Sequence, residues 1–184
     1  GTFGSAASLD DTNQLRLYSQ DNFGDDLIFC PRAGGVYYWD QSSGTSTRAV
    51  NFSSLGSASN VPTKCLQIMV SDVDRHIIAF GSNPIGSSTL DPLLVRWSDQ
   101  ESAVDWTPSS TNSSGGVKIS SGSKIVGALR TRQEILIWTD SALHSMRFVG
   151  APFIFSFNEL KAGVSMISPN ASVNANGQVY FMDR

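Results

Sequence analysis

One strand-ending phrase recurs along this chain: apolar β-formers, then an aromatic or bulky residue, then aspartate. It stands as Tyr38-Trp39-Asp40, Arg96-Trp97-Ser98-Asp99, Ile137-Trp138-Thr139-Asp140 and, less faithfully, Tyr180-Phe181-Met182-Asp183. From Trp39 to Trp97 is 58 residues, from Trp97 to Trp138 is 41, and from Trp138 to Met182 is 44. Repeats of about 40 to 50 residues are the range of four-stranded propeller blades, and the long first interval leaves room for an insertion. A sheet of three or four strands cannot hide both faces alone, so repeated sheets must pack on one another. The spacing therefore predicts an all-β fold of about four antiparallel, β-propeller-like blades, either by themselves or as part of a larger propeller. The alternative is a β-sandwich whose aromatic turns coincide by chance.

Ile125 to Phe148 supplies the densest part of the pattern. Ile125 to Leu129 form one apolar run, the polar cluster Arg130 to Glu134 interrupts it as a hairpin connection, and Ile135-Leu136-Ile137-Trp138 return. Short runs of β-branched and bulky residues bounded by turn signals suit strands better than helices. Beyond Asp140, Leu143, Ser145, Arg147 and Val149 share one face and His144, Met146 and Phe148 the other. Neither face is cleanly polar, which predicts a strand covered on both sides.

Residues 1–14 are small and polar, with Phe3 the only large aromatic, and are expected to be a tail or linker ahead of a single domain over 15–184. Leu15 and Leu17 begin the first strand, and Ser19 to Asp26 is expected as a polar turn. Leu27 to Cys30 with Val36 to Trp39 form the clearest hairpin. A second hairpin joins Cys65–Val70 to His76–Phe80, and a third flanks Ala175-Asn176-Gly177. Residues 98–116 are the least regular stretch, a loop pinned by Trp106. No helix longer than two turns is expected.

Composition narrows the function classes. Thirteen Lys and Arg stand against sixteen acids, giving a net charge of −3, and only 16% of residues are charged. That argues against a disordered chain and against a protein that wraps a phosphate backbone, although a passage through which DNA slides needs no basic lining. No run approaches the about 18 unbroken apolar residues of a membrane helix, and no charged start with a hydrophobic core marks a signal peptide. Cys30 and Cys65 end and open apolar runs, and are expected as buried thiols of a protein folding in a reducing cytoplasm rather than as a disulfide.

The run Arg96 to Glu101, then Asp105-Trp106-Thr107-Pro108, Gly127-Ala128-Leu129, Arg132 to Asp140, Gly150-Ala151-Pro152-Phe153 and Ser168-Pro169-Asn170, resembles tail proteins of short-tailed bacteriophages. Asp21 to Asp26 and Gly34 to Asp40 are similar to the upstream part of that family, so the resemblance covers most of residues 15–184. It implies a non-enzymatic virion structural protein of the tail nozzle or DNA-stabilisation kind, built on a propeller. It further implies a hexameric ring of identical subunits around the DNA exit channel, contacts with other tail proteins such as an adaptor, and no membrane insertion. Such a protein is synthesised in the host cytoplasm and resides in the virion tail. Family members are generally much longer, so the resemblance implies that this chain is a fragment of a longer one.

Four apolar residues crowd Phe153, Ile154, Phe155 and Phe157, a candidate contact with another blade or subunit. The enzymatic or sugar-binding alternative is a glycan-binding or glycan-cleaving propeller on a phage tail. Glycoside hydrolysis needs two positioned carboxylates, and Asp99 and Asp105, with Glu101 between them, lie beside Trp97 and Trp106, whose rings are able to stack on a sugar. The bland reading is that these acids accept hydrogen bonds from turn amides and the indoles fill the sheet edge. No cofactor, metal or catalytic constellation is expected. Asp25-Asp26 and Asp72-x-Asp74 do not continue as loops of alternating calcium ligands, and His76 and His144 are far in sequence from each other and from the cysteines. Arg130 and Arg132 are more simply solvated turn residues than phosphate contacts.

Overall fold

Period-two burial organises the computed structural model, which describes residues 17–71 and 74–184. The expected tail 1–14, Leu15 and Asp72 lie outside the described residues. Three four-stranded antiparallel sheets succeed one another along the chain, each with its strands in sequence order. The first comprises β1 (Tyr18–Phe23), β2 (Asp26–Pro31), β3 (Tyr37–Trp39) and β4 (Val50–Asn51). The second comprises β5 (Cys65–Val70), β6 (Ile77–Ser82), β7 (Leu94–Trp97) and β8 (Gly115–Lys118). The third comprises β9 (Ile125–Arg130), β10 (Ile135–Thr139), β11 (Ala142–Gly150) and β12 (Ile154–Ala162), and a hairpin of β13 (Ser172–Ala175) and β14 (Gln178–Phe181) comes last. The only helical pieces among the described residues are two 3₁₀ turns, Gln41–Ser43 and Phe52–Ser54. The protein is therefore all-β, built of repeated antiparallel blade-like sheets, and no sheet closes into a barrel.

Alternation along each central strand explains how these sheets stack. In β6, Ile77 and Ala79 join a cluster with Ile28 and Cys30 of the first sheet and Phe52 of the 3₁₀ turn that follows it. Their neighbours Ile78 and Phe80 join Ile135, Ile137 and Met146 of the third. Successive side chains point to opposite faces of a strand, so one fully buried strand feeds two cores. The same alternation in β10 sends Ile135 and Ile137 toward the second sheet and Leu136 and Trp138 toward Met166 and the final hairpin. Each large side chain buried this way stabilises the fold by about 1.5–3 kcal/mol. Gly127 marks a close approach of the third sheet to the segment that leads into β13. A Cβ there would lie 2.7 Å from Met166 Cε and 2.9 Å from the Pro169 carbonyl oxygen.

Three details correct the sequence reading. The polar segment starting at Ser19 is strand β1, not a turn, because its side chains are used by the neighbouring sheet. The recurrent phrase is out of phase with the sheets: Trp39 and Trp97 end third strands, whereas Trp138 lies on a second strand and Met182 stands just beyond one. Counted from the first residues of β1, β5, β9 and β13, the intervals are 47, 60 and 47 residues, so the long one is the second. It contains the 98–114 loop, pinned by Trp106 as expected: the indole is 1% exposed and donates to the Ala103 carbonyl at 3.0 Å. Finally, β12 runs nine residues from Ile154, through a stretch whose apolar crowding had suggested only a contact surface.

Candidate functional site

The first strands β1, β5 and β9 and the segment leading into β13 converge on one cavity of about 490 Å³. A strand at the inner edge of a sheet carries unpaired backbone groups, and here side chains from the adjoining sheet satisfy them. Ser19 Oγ accepts from the Ile68 amide and Asp21 Oδ2 from the Val70 amide, both at 2.9 Å, so β1 covers the edge of β5. Gln67 does the same for β9: its Nε2 donates to the Ala128 carbonyl and its Oε1 accepts from the Ala128 amide, each at 2.8 Å. Its carboxamide thus stands in for a peptide of a missing strand. Arg32 donates to the carbonyls of Leu66 (3.4 Å) and Ile125 (3.1 Å), tying the end of the first sheet to both others. Burial lowers the pKa of its guanidinium from the ordinary value.

Arg130 completes the seam. Its Nη1 lies 2.7 Å from Asp21 Oδ2 and also donates to the Val70 carbonyl, so one side chain of the third sheet grips the first two. The solvated reading of Arg130 is therefore corrected: it is an inter-sheet clamp. Arg132 is exposed.

A second polar network ties the β5–β6 connection to the long loop. His76 is fully buried, with Nδ1 2.5 Å from Asp74 Oδ2 and Nε2 3.0 Å from Ser113 Oγ. Ser71 donates to the other oxygen of Asp74. Asp–His–Ser is the order of a nucleophile relay, but the serine hydroxyl is already placed otherwise. Ser113 Oγ donates to Asp99 Oδ1 at 2.6 Å and accepts from the Gln100 amide at 3.0 Å. Its one proton is thereby directed to Asp99 and away from the imidazole. As built, the arrangement is a chain of hydrogen bonds between loops. The rings of Phe148 and Phe155 lie against His76, with centroids at 5.9 and 5.3 Å. Residues spaced 74, 76 and 113 give no local motif, which is why sequence reasoning saw His76 as isolated.

The residues named for a sugar site do not converge on an open surface. Trp97 is 4% exposed in the core between the second and third sheets, while Trp106 is in the core between the first and second. Asp99 takes the Ser113 amide as well as its hydroxyl, and although burial opposes ionisation these bonds hold its pKa below the ordinary value. Asp105 accepts from the Thr107 amide and Asn112 Nδ2. None of Trp97, Asp99, Asp105 and Trp106 lines the cavity between the first strands, and both carboxylates are occupied in shaping the loop. The apolar group at 153–157 divides. Phe155 is buried and Phe157 stacks on Trp97 at 6.1 Å, so both are spent inside the chain, and Ile154 is partly buried against the same core. Phe153 is 76% exposed, beside exposed Phe148 and Val149 at the tip of the β11–β12 hairpin.

Cys30 and Cys65 are free, fully buried thiols whose sulfurs are 3.2 Å apart, a pairing across the first two sheets that their sequence positions did not disclose. Burial pushes the Cys65 thiol well up from its ordinary value. Among the described residues no group of three or more His, Cys, Asp or Glu is placed to hold a metal. No helix there is long and apolar enough to cross a membrane. Comparison with protein-family models and with curated proteins yields no match.

Proposed function

We propose that this chain is a non-enzymatic building block of a bacteriophage tail nozzle, assembling as a ring that helps retain packaged DNA and conducts it during ejection. The observation that carries this reading is the polar seam between the sheets. Ser19, Asp21, Gln67, Arg32 and Arg130 are all spent on joining one sheet to the next, so the inner surface is braced rather than equipped for chemistry. The sequence resemblance to short-tailed phage tail proteins points the same way. A cavity of about 490 Å³ does not admit a duplex whose major groove alone is about 12 Å wide. DNA passage in this reading runs through the centre of a ring of subunits, not between the blades of one.

Ring contacts fall to the β11–β12 tip, where Phe153, Phe148 and Val149 expose apolar surface. Replacing Phe153 by Asp should leave folding intact and abolish assembly, read by mass photometry of the purified protein; an unchanged oligomer would remove this surface from the reading. Electron microscopy of the source particle tests the whole. Density for this chain in a ring at the distal tail supports the nozzle, and its absence from the virion overturns it.

A further inference from the structure

Arg96 is the third residue of β7, and the alternation that sends Val95 and Trp97 into one core puts its side chain on the opposite face, toward the first sheet. The residue is 3% exposed. Its Nη1 donates to the Asn83 carbonyl at 3.0 Å and its Nη2 to the Asn60 carbonyl at 2.5 Å. The guanidinium carbon lies 5.8 Å from the Trp106 ring centroid. Every one of these partners is neutral. Arg130 has Asp21 and Arg147 has Glu134, but among the described residues no carboxylate forms an ion pair with Arg96. Burial alone pulls its pKa down to about 10, with no neighbouring charge to offset the loss of water, so the group is still a cation at neutral pH.

Leaving a buried charge without a counter-ion is costly, and carbonyl dipoles with an aromatic face offset it only in part. A guanidinium carries five N–H donors in a fixed fork suited to two oxygens of one oxyanion, and protein carbonyls occupy two of them here. In front of it opens a cavity of about 300 Å³ lined by Ser53, Asn60, Thr63, Asn83, Ser87 and Arg96, with apolar residues between them. Arg96 is the one charged side chain in that lining. Asn83 Nδ2 is spent on the Ser87 carbonyl at 2.7 Å and Asn60 Nδ2 on Thr107 Oγ1 at 2.9 Å, so the donors left to an anion besides the guanidinium are the hydroxyls of Ser53, Thr63 and Ser87. The volume is at the small end of ligand sites, which suits a single tetrahedral oxyanion better than a nucleotide.

We propose that the cavity before Arg96 is a binding site for a small free oxyanion of the inorganic phosphate class, which supplies the missing counter-charge and locks the 83–87 turn onto the 53–63 segment. The test is calorimetric titration of the whole chain with inorganic phosphate, ionic strength held constant with chloride, alongside thermal melts. One saturable site is expected, with Tm rising with phosphate and not with chloride. Arg96→Gln should weaken binding by roughly tenfold or more. Ser53→Glu, an exposed position at the cavity lip, brings in a carboxylate and should abolish the phosphate response while raising Tm in its absence. If Arg96→Gln does not fold, Ser53→Glu alone decides. The proposal is overturned if the unmodified chain shows no saturable phosphate binding, or if the folded variants bind it as the unmodified chain does.

Discussion

The polar seam and the flanking cores join the same sheets by opposite means. Between the second and third sheets, Ile78, Phe80, Ile135 and Ile137 exclude water and meet through side chains alone. At the seam, the contact from β5 to β9 is a carboxamide matched to the amide and carbonyl of one residue, Ala128. Apolar packing is non-directional and sets how strongly two sheets adhere. A paired amide tolerates only one register, and its net contribution of about 0.5–1.5 kcal/mol per hydrogen bond is small. The difference teaches that stability and alignment are separable here: the cores hold the sheets together, and the seam fixes where along each other they sit.

That separation makes graded predictions. Phe80→Ala, at a fully buried position in the larger core, should cost about 3–5 kcal/mol in urea unfolding, the largest effect of the set. Gly127→Ala should cost about 1–3 kcal/mol, since the new methyl meets the Pro169 backbone as well as the Met166 tip. Hydrogen exchange should show the loosening concentrated in β13 and β14. Gln67→Leu leaves the amide and carbonyl of Ala128 without partners, for about 1–2 kcal/mol, and should broaden backbone resonances of β9 more than its stability cost suggests. A cost equal to that of Phe80→Ala would abolish the distinction between seam and core.

The smallest effect belongs to a strand end. The hydroxyl and then the amide of Ser123 hold the Asp140 carboxyl below its ordinary value of 3.8. A carboxylate whose folded pKa is depressed stabilises the fold above the unfolded value, and that contribution is lost as pH falls through the folded one. Asp140→Asn should therefore lower stability slightly at pH 7, with the gap to the unmodified chain closing below about pH 4. A gap that persists at pH 2 would assign the effect to geometry instead of charge.

Much of the fold was legible. The expected run Cys65–Val70 coincides with β5, and the first hairpin pairs Leu27 with Trp39 and Ile28 with Tyr38. Apolar runs and Gly- or Asn-bearing turns carry those features locally. Strand β1 was hidden because Ser19 and Asp21 answer to amides 49 residues away, and a polar residue looks like a turn until its distant partner is known. Strand β12 was hidden for a related reason, since its outer half from Asn158 to Ala162 is exposed and shows no alternation of burial. The sites were less legible than the strands. Arg96 is written into the same phrase as Trp97, and only the opposite pointing of neighbouring side chains separates an indole in one core from a cation facing another cavity.

The aromatic–Asp phrase has a final consequence for ancestry. Each of its aspartates lies one or two residues beyond a strand and takes a backbone amide: Asp40 from Ser42, Asp99 from Ser113, Asp140 from Ser123, Asp183 from Ser165. A tandem copy inherits strand order together with its letters. Here the letters recur on third strands twice and on or after second strands twice, so the phrase marks a common way of finishing a strand and is a poor ruler for where one sheet stops and the next begins.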